Sequence, residues 1–178
     1  MVVGLLDWLL DSDPAIRWQV MRDLTDGPAS RVASEQARVA NEGWGARLLA
    51  LQADDGNWGG GAYSPKWIST TYTLLLLRHM GPDPADEKVR AAIDLVRDRV
   101  VMGGESRPFF DYSTECCITG MALALGSYFL EDASAQPQPE KLFERQREDG
   151  GWNCRVSSAS GTHITRSTSI VSPASSSG

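Results

Sequence analysis

The sequence predicts an all-α protein, and three observations carry that prediction. Apolar residues in the first 154 positions recur at helical spacing, and no segment alternates with period two. Helix openers and stoppers bracket those apolar stretches. One-sided apolar segments alternate with segments that are apolar all round, which suits an outer layer of helices shielding an inner one. At 178 residues roughly 70% of the unfolded chain's surface can be buried, so one domain with a real core is expected.

The elements follow in order. Asp13-Pro14 is an N-cap with proline at the first helical position, and Ile16, Val20, Met21 and Leu24 then share a face until Gly27-Pro28 stops the helix. A polar helix fits residues 29–41. Residues 44–52 carry Trp44, Leu48, Leu49 and Leu51. Residues 67–80 are apolar almost all round, from Trp67, Ile68 and Tyr72 to Leu74–Leu77. Residues 85–100 place Val89, Ala92, Ile93, Val96 and Val100 on one stripe. Acidic residues open that helix and Arg97 and Arg99 close it, as the helix dipole prefers. Residues 114–130 are again apolar all round, and 139–147 form a short amphipathic helix.

Charge and cysteines exclude several classes. Seventeen basic residues against 23 acidic ones give −6, a poor balance for gripping a nucleic-acid backbone. No apolar run approaches the roughly 20 residues that span a bilayer, and Asp7 interrupts the N-terminal apolar residues, so neither a signal peptide nor a transmembrane helix is read. Three cysteines, with Cys116 and Cys117 adjacent, make no disulfide framework, and a reducing cytoplasm is expected.

An internal repeat organises the chain. Gln52, Gly56 and Trp58 recur as Gln146, Gly150 and Trp152, 94 residues later. At half that offset the chain has Arg99, Gly103 and Glu105, so a middle copy keeps only the glycine. Ser69-Thr-Thr and Ser113-Thr-Glu, 44 apart, each open an all-apolar helix. A period in the forties with two helices per unit means stacked helix pairs. Within the motif, glutamine is expected to reach free carbonyls at the end of an outer helix. Glycine supplies a positive φ, and tryptophan packs over the turn and donates its indole N–H.

These two Gln-x-x-x-Gly-x-Trp strings resemble the QW motif of the prenyltransferase and squalene-oxidase repeat. That repeat builds the α/α toroids of squalene-hopene cyclases, oxidosqualene cyclases and protein prenyltransferase β-subunits. The resemblance covers residues 43–154. It implies an α/α toroid and an apolar, aromatic-lined groove for an isoprenoid-type ligand. It also implies motifs that are missing: neither Asp-x-Asp-Asp nor Asp-Asp-x-x-Asp occurs. A family toroid closes with about six helix pairs against about three and a half here, so the resemblance implies an incomplete ring that is not catalytically competent as this chain. Residues 1–42 read instead as N-terminal helices resembling a HEAT-type pair, with an Asp-Pro-x-x-Arg opening at Asp13-Pro14-Ala-Ile-Arg17. This suits the alternative of a non-catalytic protein-binding module.

Two candidate chemistries arise. Inner-helix starts line the cavity in the related toroids, where aromatic faces stabilise carbocations. The corresponding residues are Trp67, Tyr72, Phe109, Phe110 and Tyr112, with Asp111 and Glu115 as an acid pair if one helix carries both. Capping by Asp111 or Ser113, with the aromatics in a core, is the competing structural reading. No cofactor is expected. Zinc is the weaker alternative, by similarity to prenyltransferases that hold it through Asp, Cys and His; Cys116, Cys154 and His163 are its ligand candidates. Self-association through exposed apolar surface is expected as well. Residues 155–178 contain nine Ser and no acidic residue and read as a disordered tail. One allowed codon choice for 163–178 encodes an amphipathic helix in a shifted frame, so a frame-shifted or truncated gene is the expectation for this end.

Overall fold

In a computed structural model, residues 4–102, 107–111, 115–130 and 139–152 are described. Eight α-helices run through them: α1 Leu5–Leu10, α2 Pro14–Asp23, α3 Ala29–Ala37, α4 Gly43–Leu49, α5 Thr70–Met80, α6 Glu87–Arg99, α7 Cys116–Phe129 and α8 Glu140–Phe143. The fold is all-α, as the spacing predicts. The exceptions are a two-residue antiparallel pair, Val101–Met102 with Arg107–Pro108, and a 3-10 turn at Phe109–Asp111. The pair stands at the position of the degenerate middle repeat. No helix among the described residues is long and apolar enough to cross a membrane.

The chain divides into two compact units, Met1–Val100 and Val101–Gly178. The expected boundary between residues 42 and 43 falls inside the first unit, where α2 packs on α1, α3, α4 and α5. Those neighbours explain a departure from the expected apolar stripe of α2. Its buried residues are Pro14, Ala15, Trp18 and Val20, while Leu24 is exposed. Ala15, Trp18 and Val39 form one core cluster, with Val32 and Met80 packed against it.

The Asp13 cap is present and serves twice. One carboxylate oxygen accepts from the Ala15 N–H at 3.0 Å, and the other accepts from the Trp44 N–H at 2.7 Å, tying the start of α4 to the start of α2. Glu35, buried on α3, accepts from Arg17 Nε at 2.5 Å and from Arg38 at 3.2 Å. The arginine of the Asp-Pro-x-x-Arg string thereby joins α2 to α3. Trp18 donates its indole N–H to the Met80 carbonyl at 2.8 Å, fixing α2 against the end of α5.

On α6 the predicted stripe holds at every position: Val89, Ala92, Ile93 and Val96 are buried, as is the following Val100. Burial of each of the Val and Ile side chains contributes about 1.5–3 kcal/mol. Asp86 caps this helix through the Lys88 and Val89 N–H groups. The two all-apolar helices differ from each other. In α7 only Ser127 is exposed. In α5 Leu76 is 48% exposed, and Ile68 just before the helix is 58% exposed. Apolarity all round therefore does not bury α5 all round.

Candidate functional site

The repeat turn is the best-defined feature of the chain, and its two copies match bond for bond. Gly56 and Gly150 both have φ +82°, a left-handed value that glycine adopts without a Cβ penalty. Gln52 Nε2 donates to the Gly56 carbonyl at 3.0 Å, and Gln146 Nε2 to the Gly150 carbonyl at 2.7 Å. Trp58 Nε1 donates to the Leu48 carbonyl at 2.8 Å, and Trp152 Nε1 to the Leu142 carbonyl at 2.7 Å. The backbone repeats as well: Ala53 N–H to Asn57 and Arg147 N–H to Gly151 are both 2.9 Å.

The glycine and tryptophan roles are those the sequence predicts, while the glutamine role is different. The glutamine amide braces the turn's own glycine carbonyl, and the tryptophan caps the helix that precedes the turn. The reason is reach. The indole folds back ten residues onto a last-turn carbonyl, which leaves the glutamine to close the four-residue loop it begins. Sequence reading also missed Asp55 and Asp149. Asp55 accepts from the Asn57 N–H at 2.9 Å and Asp149 from the Gly151 N–H at 3.1 Å. The signal was present in the shared string Gln-x-x-Asp-Gly-x-Trp. The Asn57 side-chain amide and then its backbone N–H hold the Asp55 carboxyl below the usual carboxylate range.

In the first copy the turn leads into α5 through three buried hydroxyls. Thr70 Oγ1 accepts from the Trp58 N–H at 3.1 Å and lies 3.0 Å from the Gly61 carbonyl. Thr71 Oγ1 donates to the Ala62 carbonyl at 2.7 Å, and Ser69 Oγ donates to the Tyr63 carbonyl at 2.7 Å. The Thr70 and Thr71 N–H groups also donate to Gly61 and Ala62. These loop carbonyls take the first amides of the helix, so α5 starts at Thr70 and not at Trp67.

Trp67 consequently lies outside the helix, with φ +73° and its side chain 80% exposed. A non-glycine residue in that region is strained, and such strain persists only where surrounding contacts hold it. Its ring centroid is 5.2 Å from that of Tyr72, and Tyr63 lies 5.9 Å from Tyr72 on a tilted contact. The first unit thus presents a three-ring cluster in which Tyr63 was not foreseen. An aromatic six residues upstream of Ser69, whose hydroxyl its own carbonyl accepts, was the available clue.

In the second unit Phe109 and Phe110 are buried in an edge-to-face contact at 5.3 Å, so these two rings are core. Asp111 is exposed and ends the 3-10 turn. Glu115 occupies the N-cap position of α7 in extended conformation without a side-chain cap bond. Because α7 begins at Cys116, the two carboxylates do not share a helical turn. Tyr112 and Ser113 lie outside the described residues. Cys116 is buried at the start of α7, while Cys154 and His163 lie outside the described residues, as does the whole segment 155–178. Among the described residues no group of three His, Cys, Asp or Glu side chains could hold a metal ion. Gly103 and Glu105 of the middle repeat also lie outside the described residues.

Comparison of the chain with protein-family models, with curated proteins and with solved structures gives no match.

Proposed function

We propose that this chain is a terpenoid-cyclase- and prenyltransferase-like repeat protein, built from helix pairs of the α/α-toroid type, that binds an isoprenoid-type ligand along an apolar face. The observation that carries this reading is the shared hydrogen bonding of the two Gln-x-x-Asp-Gly-x-Trp turns, followed in the first copy by an aromatic cluster with Trp67 exposed at the start of the next helix. Tyr63, Trp67 and Tyr72 offer ring faces with no charge among them, which suits the alkene units of an isoprenoid chain. The role assigned is binding. The sequence has neither acidic string through which the cyclases and synthases act, and Asp111 and Glu115 are the carboxylates an acid role would draw on. The compartment we infer is the cytoplasm, from an acidic sequence whose three cysteines, two of them adjacent, make no disulfide framework.

The test is equilibrium binding of a fluorescent or tritiated prenyl diphosphate and of a squalene analogue. Saturable binding weakened about tenfold or more in Trp67→Ala and Tyr72→Ala is expected, a loss of about 1.4 kcal/mol. Trp67 is too exposed for its loss to unfold the unit. Wild-type affinity in both variants, or no saturable binding of either probe, would sink the reading.

A second reading, a non-catalytic helical-repeat module that binds protein, is favoured by one observation. Ile68 and Leu76 extend the apolar surface beyond the three rings. A stable protein complex that Leu76→Lys abolishes, without prenyl binding, would select it.

A further inference from the structure

A groove of about 340 Å³ lies elsewhere in the first unit, lined by Trp8, Leu9, Asp11, Ser12, Ile16 and Trp44. That is at the small end of the range for small-molecule sites, about 300–1,000 Å³. Its two indoles come from different elements, Trp8 from α1 and Trp44 from α4, and they are 62% and 48% exposed. Trp44 is not free to drift, because its backbone N–H is held by the Asp13 carboxylate at 2.7 Å. The floor is aliphatic, from Leu9 and Ile16.

Apart from the two indole N–H groups, the polar side chains of this lining are those of Asp11 and Ser12. The Ser12 hydroxyl is spent on the Leu9 carbonyl at 2.6 Å. Among the described residues Asp11 is the only ionisable one in the lining, and it sits at the C-cap of α1, where the helix end adds negative potential. Among the described residues no lysine, arginine or histidine lines the groove. Two arginines lie close in sequence: Arg17 bonds the carbonyl of Ser12, itself a lining residue, with its charge matched by Glu35, and Arg47 folds onto the Gly43 carbonyl at 3.2 Å. Two indoles, two aliphatic side chains and one carboxylate select against an anion. They suit a compact organic cation, whose alkyl groups pack on the indoles while its charge is shared between ring faces and carboxylate.

We infer that the Trp8–Trp44 groove is a binding site for a quaternary ammonium group, with Asp11 as its counter-ion. The site is separate from the aromatic cluster around Trp67 and does not rest on the isoprenoid reading.

The test uses the full chain and indole fluorescence with choline and tetramethylammonium as probes, and the neutral choline isostere 3,3-dimethylbutanol as control. Saturable quenching by both cations is expected, with affinity for the isostere at least about tenfold lower. Trp8→Leu and Trp44→Leu should each weaken cation binding about tenfold. Asp11→Asn should weaken it several-fold and remove its dependence on ionic strength. All three positions are exposed, and a circular-dichroism melt of each variant checks that the fold is intact. Sedimentation with phosphatidylcholine vesicles, competed by choline, would identify a lipid headgroup as the source. Binding of the free cations alone would identify a soluble ammonium compound. Equal affinity for 3,3-dimethylbutanol, unchanged affinity in the folded variants, or no saturable quenching would overturn the inference.

Discussion

At the scale of single residues, the two repeat turns form a matched pair for experiment. Gly56 and Gly150 share one φ, but a Cβ at Gly56 would lie 3.3 Å from Leu95 Cδ1, whereas one at Gly150 would meet nothing within 4 Å among the described residues. Gly150→Ala therefore reports the left-handed penalty alone, about 1 kcal/mol. Gly56→Ala should cost the same or somewhat more, according to how far Leu95 gives way. Urea unfolding of both variants measures the difference, and a smaller loss at Gly56 would contradict the geometry. Asp55 makes a second prediction. Its folded pKa is lowered by Asn57, so its stabilisation is complete above the unfolded value, near pH 4. It is lost as pH falls through the folded value. A carboxyl titration by NMR should give Asp55 a midpoint below the ordinary aspartate value, and Asn57→Ala should raise it.

At the scale of elements, local pattern located almost every helix, and burial sorted the helices into those the pattern describes fully and those it does not. The stripe on α6 was legible because a single partner face buries it, so period alone fixes which residues are inside. The face of α2 was not legible, because helices pack on it from several sides and bring Trp18 inward. The start of α5 was missed by three residues. Loop carbonyls from Gly61 and Ala62 claim its first amides, and no local preference encodes that pairing. Substitution tests the contrast between buried and open positions. Ile93→Ala on α6 should cost about 2–5 kcal/mol through a cavity. Leu76→Ala on α5 should cost under about 1 kcal/mol, since half of that side chain faces water. Comparable losses in chemical denaturation would contradict the exposure of Leu76.

At the scale of the whole molecule, the first unit leaves Leu51, Trp67, Ile68 and Leu76 exposed, together with Leu5 and Trp8 on α1. Apolar surface of this kind favours association. Sedimentation velocity should show a weight-average coefficient that rises with protein concentration. Ile68→Lys with Leu76→Lys should flatten that rise. A monomer at every concentration would remove self-association as a property of this face. The candidate site was legible unevenly at this scale. Trp67 and Tyr72 were chosen for their place at the start of an apolar helix, and the structure brings them together with Tyr63. Phe109 and Phe110 were chosen by the same argument, yet they are core. Ring type and spacing do not distinguish a ring that lines a groove from one that fills an interior.

The sequence by itself determined the helical class, the order of the elements and the repeat turn. Each depends on interactions within about ten residues: the periodicity of one helix, the φ of one glycine, the reach of one indole back to Leu48 or Leu142. Tertiary structure alone decided which face of α2 is inside, where α5 begins, that Trp67 is held outward in a strained conformation, and that Trp8 and Trp44 wall one groove. Those outcomes depend on groups brought together from distant parts of the chain, such as Asp13 with the Trp44 amide across 31 residues. Their pairing is set by how the helices pack and not by any local preference of the residues involved.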